Sequence, residues 1–192
     1  MKAIATLLTV AALIVAPVAV QNAHAQFEFT LGGGLNSPMG EYGDQVDLGY
    51  AFMTGVGYQL TPFLVVGAEV SLYGNSASDE LLSGFSPGTE MSTRIAQYAG
   101  MAKVLVPFGN HNVFAKGLLG SYRGSAKLTG PLGQAEVKTS DLGYGIGGGL
   151  LIGGESNSKF FLDATYHRIS YDGSTEDTDF VTYTAGAIFS FR

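Results

Sequence analysis

Cysteine is absent from the 192 residues, which excludes a disulfide scaffold, a thiol nucleophile and a zinc-thiolate site together. Charge is scarce as well: Asp, Glu, Lys and Arg make up 14% of the chain, against ~25% in ordinary soluble domains. Something other than charge must therefore cover the outside. The few charges lean acidic, to a formal net charge of −6, which argues against nucleic acid as a partner, since a nucleic-acid-binding surface needs clustered Lys and Arg. Beyond residue 20 there is no apolar run approaching the ~18 residues of a membrane-crossing helix, so a helical membrane protein is excluded too.

What the chain does have begins with Lys2, an apolar stretch from Ala3 to Val20, and the small-x-small site Ala23-His24-Ala25 before Gln26. This three-part form predicts a cleaved signal peptide over residues 1–25. The remainder, 192 − 25 = 167 residues over 26–192, suits one domain. Glycine contributes 28 residues, about twice the usual ~7%.

The pattern from Gln26 onward is alternation, clearest in the last stretch. Val181, Tyr183, Ala185, Ala187, Phe189 and Phe191 share one parity, and Thr182, Thr184, Gly186 and Ser190 the other; only Ile188 breaks the rule. An extended chain would turn one apolar face and one small or polar face. Seven earlier segments alternate in the same way: Phe27–Leu35, Tyr50–Leu60, Phe63–Tyr73, Arg94–Phe108, Val113–Gly124, Leu142–Ile152 and Phe160–His167. Long connections at 36–49, 75–92, 129–140 and 172–179 alternate with short turns at Thr61-Pro62, Gly109-Asn110-His111 and 155–158. Eight strands follow, the last closing a sheet on the first. Prolines fall in the long connections (Pro38, Pro87, Pro131), a turn (Pro62) or a strand end (Pro107), where a residue without an N–H is tolerated.

A soluble barrel would need its second face to meet water, but that face holds mainly Gly, Thr, Ser and Ala. With the aromatic and branched residues facing lipid, the small residues line a narrow lumen and Glu28, Glu69, Lys103, Lys116 and Asp163 become a mixed-sign set inside it. Ten residues at ~3.3 Å each, tilted ~40°, rise about 25 Å, the apolar height of an outer-membrane barrel. Such a sheet must close, because an open edge in hydrocarbon leaves backbone groups without partners. Phe27, Tyr50, Phe108, Phe160, Tyr183 and Phe191 suit the interfacial girdles. The expected fold is all-β: a closed, antiparallel, eight-stranded transmembrane barrel over 26–192.

The segments Gly55-Val56-Gly57-Tyr58, Gly143-Tyr144-Gly145-Ile146-Gly147 and Phe161-Leu162-Asp163-Ala164-Thr165-Tyr166, with the aromatic last strand, carry a resemblance. The whole mature chain resembles the small eight-stranded outer-membrane β-barrels of Gram-negative bacteria, the OmpX/OmpA-like porin-family barrels. The resemblance implies a place in the outer membrane after export through the periplasm, termini on the periplasmic side, external long loops, and contact with outer-membrane lipid and lipopolysaccharide. It also implies that the last strand, with Tyr183, Phe189 and Phe191, is a signal read by the barrel assembly machinery, although Arg192 follows the terminal aromatic.

For function, the expected role is non-enzymatic and structural or surface-interacting, with an extracellular partner engaged through the loops. A narrow channel for small or hydrophobic solutes is the alternative, and a lipid A-modifying enzyme the third reading. No cofactor, metal or catalytic residue is expected. His167 and Ser170 lie three apart on a strand and so face opposite sides, and the Gly143–Gly149 run lacks the helix and Gly-Lys-Ser/Thr of a phosphate cradle. Eleven acids, Glu41, Asp44, Asp47, Asp79, Glu80, Glu90, Glu136, Asp172, Glu176, Asp177 and Asp179, fall in the long connections. Among them Glu176, Asp177 and Asp179 form a candidate site for divalent cations or a cationic partner. In the lumen the expected pairs are Glu69 with Lys116 and Asp163 with Lys103, closing the pore electrostatically.

Overall fold

The computed structural model describes residues 26–82, 88–131, 133–153, 157–170 and 177–191; the predicted signal peptide lies outside them. Eight strands follow in order: β1 (Gln26–Met39), β2 (Gly49–Thr61), β3 (Leu64–Ser76), β4 (Glu90–Phe108), β5 (His111–Gly130), β6 (Gly133–Ile152), β7 (Ser158–Ser170) and β8 (Thr178–Phe191). Each pairs antiparallel with its sequence neighbours, and β8 returns to β1 in a register running from Phe27↔Phe191 to Met39↔Asp179. The last strand thus closes the ring on the first, and around the closed part of the wall each strand finds backbone partners on both neighbours.

The strands turn their aromatic and branched residues outward. Phe27, Leu31, Phe52, Val56, Leu72, Val106, Phe108, Leu119, Ile146, Phe160, Leu162, Tyr183 and Phe191 are all exposed. In water such a surface would be a liability; in hydrocarbon it is the solvent-matched face. Ile188, the residue that breaks the parity of β8, points inward and is buried with Met53, Val65, Leu105, Phe114, Leu151 and Phe161.

Two expectations are corrected. The connection expected at 129–140 is mostly strand: β5 runs to Gly130, β6 begins at Gly133, and their register continues unbroken to Gly130↔Gly133. The residues there do alternate, with Ala126, Leu128, Ala135 and Val137 on one parity and Ser125, Lys127, Gln134, Glu136 and Lys138 on the other, but this apolar parity is short, interrupted by Gly and Pro131, and reads as a polar connection. Strands β4, β5 and β6, of 19, 20 and 20 residues, therefore project beyond the 13- and 14-residue strands beside them. The other correction concerns the lumen, which is not lined by small residues alone: Tyr73, Phe114, Tyr122, Phe161 and Phe180 fill it.

At the same end as the projection, a six-residue helix, α1 (Gly40–Gln45), and a four-residue one, α2 (Asp79–Leu82), occupy the β1–β2 and β3–β4 connections. The bridge Val46↔Ala77 and the bonds Asp47 N to Ser76 O and Ser78 N to Gln45 O tie the two connections together. The opposite end carries the short turns and both ends of the described chain.

Candidate functional site

The lumen is built by the inward parity of each strand. From the turn end to the loop end, β3 presents Val65, Glu69, Ser71 and Tyr73; β4 presents Leu105, Lys103, Gln97 and Ile95; β7 presents Phe161, Asp163, Thr165, His167 and Ile169. Each reads apolar, charged, polar, apolar. The interior is consequently layered, with the apolar group around Phe114 and Phe161 at the turn end and a second one, Ala51, Tyr73, Ile95, Tyr122, Ile169 and Phe180, at the loop end.

Between them lie all five charges expected inside. Lys103 and Lys116 are directly opposite each other in the β4–β5 register. Like charges so placed repel, and the two ammonium groups reach apart. Lys103 Nζ bonds Glu28 Oε2 on β1 at 3.0 Å. Lys116 Nζ lies between two acids, 3.3 Å from Glu69 Oε2 on β3 and 3.2 Å from Asp163 Oδ2 on β7. The expected partnership of Asp163 with Lys103 is thus corrected: Asp163 shares Lys116 with Glu69, and Glu28 serves Lys103. Ser71 and Thr165 donate to Glu69 and Asp163 at 3.2 and 2.6 Å, respectively, so both carboxylates have partners beyond the ammonium. A cavity of about 30 Å³ remains beside these charges, bounded by Met53, Met101, Phe114 and Phe161. That is room for a water or two, not a passage.

Toward the loop end a chain of hydrogen bonds replaces the ion pairs. Tyr73 donates to Gln97 Oε1, Gln97 Nε2 to the Tyr122 hydroxyl at 2.9 Å, and Tyr122 meets His167 Nδ1 at 3.1 Å. His167 Nε2 lies 3.2 Å from Thr182 Oγ1, which donates in turn to the Thr165 carbonyl at 3.4 Å. Every link is satisfied with donors running one way if His167 is neutral with its proton on Nε2, a tautomer assigned from the network. The imidazole also stacks on Phe180, centroids 4.7 Å apart and 14° between planes. Ser170 is exposed on the outer parity of the same strand, so His167 and Ser170 do not meet.

The candidate cation site does not assemble as expected. Asp177 is engaged by Arg168, with Oδ2 2.8 Å from Nε and 2.5 Å from the terminal NH2, and Asp179 Oδ1 lies 3.7 Å from the same Nε. Glu176 lies outside the described residues. Among those described, no group of three His, Cys, Asp or Glu side chains is arranged to hold a metal. Glu90, Glu136 and Asp179 stand on strands, not in connections. Tyr183, Phe189 and Phe191 are exposed on the outer face of β8, paired with Leu35, Phe29 and Phe27 of β1. Sequence reading missed the His167 chain, because its members come from five segments; the signal available was polar or aromatic residues on the otherwise small-residue parity, Tyr73, Gln97 and Tyr122 among them.

A closed antiparallel barrel with lipid-facing apolar walls and charges sealed inside is the architecture of a transmembrane β-barrel. The family profile of the outer membrane protein beta-barrel domain matches residues 8–191, and the chain belongs to that family, whose place is the bacterial outer membrane. No curated protein matches the chain closely enough to count as a relative. Among solved structures it is similar to Neisserial surface protein A at 15% identity and a TM-score of 0.65, covering 87% of this chain and 99% of that one. It is also similar to Ail, the attachment invasion locus protein of Yersinia pestis, in complex with the heparin analogue sucrose octasulfate (17% identity, TM-score 0.55, 87% and 97% covered). A major outer membrane protein from Thermus thermophilus matches at 14% identity, TM-score 0.55, with 87% and 99% covered. At these identities the likeness is one of fold.

Proposed function

We propose that the barrel is a non-enzymatic anchor and that its working part is the loop-end wall, through which it engages an extracellular partner. The observation that carries this reading is the projection of β4, β5 and β6. Along β6, pairing with β7 begins only at Leu142↔Ser170, while residues 133–140 are exposed. Among the described residues that edge of β6 has no strand partner. An exposed edge offers a row of N–H and C=O groups to an incoming strand, the mode of β-augmentation. Attachment is part of the name of the similar Ail protein, which supports the same class of role. In this reading the termini face the periplasm, and Tyr183, Phe189 and Phe191 serve the barrel assembly machinery during biogenesis.

The test is adhesion of bacteria expressing the protein to immobilised epithelial cells. Antiparallel alternation from the Gly130↔Gly133 pair turns the amides of the even residues of β6 to the open edge. A Ser140→Pro variant removes one such edge donor at a residue on the outward parity, and adhesion is expected to fall toward that of cells lacking the protein. Equal adhesion by parent and variant would sink the edge as the working surface. The filled lumen speaks against the channel reading for hydrophilic solutes. The enzyme reading lacks support because His167 is committed to Tyr122 and Thr182; unchanged lipid A after overexpression is the expected result.

A further inference from the structure

The ten Lys and Arg residues of this acidic chain are unevenly spent. Lys103 and Lys116 are sealed in the lumen, Arg168 is held by Asp177 and Asp179, Lys159 sits at the turn end, and Lys2 and Arg192 lie outside the described residues. The remaining four, Arg94, Arg123, Lys127 and Lys138, gather around one serine. Arg94 and Lys138 are directly opposite Ser125 on the flanking strands, and Arg123 and Lys127 stand two residues to either side of it on β5. All four are exposed on the outward parity, the one that faces lipid lower on the same strands.

Four like charges around a small residue repel unless an anion joins them. An anion is present there: the Glu136 carboxylate accepts a hydrogen bond from Ser125 Oγ at 2.8 Å and lies 3.2 Å from Lys138 Nζ. Glu90 and Glu136 are the acids on this face, so four cations meet two anions and the patch keeps a net positive charge. Its height is informative. On β4, β5 and β6 a cation stands four residues beyond the last large apolar outward residue, Tyr98, Leu119 and Leu142 respectively. Four tilted residues rise about 10 Å, a gap that head groups and long Arg and Lys stems bridge between them. Arg123 already leans down, its guanidinium 5.6 Å from the Tyr98 ring centroid.

We infer that Arg94, Arg123, Lys127 and Lys138, arranged around Ser125, bind the phosphorylated head group of a lipid in the loop-end leaflet, with Glu136 holding the place of the phosphate when no lipid is bound. Planar guanidinium groups recognise phosphate oxygens in pairs, and lysines add point charge. A lipid is favoured over a soluble polyanion because the patch continues the lipid-facing parity and sits directly above the apolar belt. The inference does not depend on the adhesive role: the outward face of the wall is used here, and the edge of β6 there.

Native mass spectrometry of the refolded mature chain in non-ionic detergent tests it, the probe being a bis-phosphorylated glucosamine-disaccharide lipid beside its dephosphorylated counterpart. The parent is expected to retain the phosphorylated lipid preferentially. The variant R94Q/R123Q/K127Q/K138Q is expected to lose at least about tenfold of that retention, K159Q to lose none, and E136Q to retain more than the parent. Heat-modifiable gel migration checks folding; should the fourfold variant not fold, R94Q/R123Q carries the same readout. Equal retention by parent and variant, or of both lipids by the parent, would overturn the inference. So would binding of a soluble polysulfated oligosaccharide without retention of the phosphorylated lipid, and weaker retention by E136Q would overturn the role given to Glu136.

Discussion

Lys116 carries more of the lumen than any other charge, because one ammonium group serves two carboxylates. Removing a partner from a buried pair leaves an uncompensated charge and costs about 3–5 kcal/mol. Lys103→Met strands one acid, Glu28, whereas Lys116→Met strands Glu69 and Asp163 together. Both variants are therefore expected to be destabilised, Lys116→Met the more so, as read from urea unfolding in micelles. Equal losses would mean that the three acids are interchangeable and that the observed division of partners does not matter. The division itself was half legible in the sequence. Five inward charges of mixed sign could be named from parity, but which acid serves which lysine depends on the register that sets Lys103 beside Lys116.

Elements are held in register partly by how rings cover glycines. Gly32 and Gly186 are opposite each other across the β1–β8 closure, and the Phe161 ring of β7 lies over both: a Cβ built on Gly32 would come within 2.6 Å of Phe161 Cζ. Gly32→Val should thus destabilise by about 1–3 kcal/mol through overpacking, and Phe161→Leu in the same chain should recover part of the loss. No recovery would place the strain in the backbone. At the other end the β5–β6 hairpin has its own titration. Hydrogen bonds from Ser125 and then Lys138 hold the Glu136 carboxyl below its ordinary range. A carboxyl whose folded value is depressed stabilises above its unfolded value and stops doing so as pH falls through the folded one. Amide exchange in residues 124–138 is expected to quicken, relative to the rest of the wall, only once the pH is below the ordinary Glu range, and Glu136→Gln should abolish that pH step. This hairpin is the part of the fold that the sequence hid. Where one strand face met lipid the period of two was plain, but around the β5–β6 turn it is carried only by Ala126, Leu128, Ala135 and Val137 among polar residues, glycines and Pro131, and a strand looks like a loop. Ile188 shows the reverse case, a break in the pattern that marks the apolar floor of the lumen.

For the whole molecule, the layering of the lumen decides what would open it. If ion pairs were the only seal, a Lys103→Ala, Lys116→Ala double variant would conduct. The apolar group around Phe114, Phe161, Val65, Leu105 and Leu151 lies across the bore on the turn side of those charges, and the Tyr73, Tyr122 and Phe180 group on the loop side. Water and ions meet an apolar constriction at both ends, so removing charge alone leaves two seals in place. Single-channel recordings in planar bilayers are expected to show silence from the parent and, at most, brief events from the lysine variant. Phe114→Ala with Phe161→Ala, added to the lysine changes, should lower the turn-end seal and lengthen those events, at a stability cost of about 3–5 kcal/mol for each ring; heat-modifiable migration confirms that the chain is still a barrel. Steady conductance from the parent would mean that the layers breathe apart, and would move the channel reading ahead of the anchor.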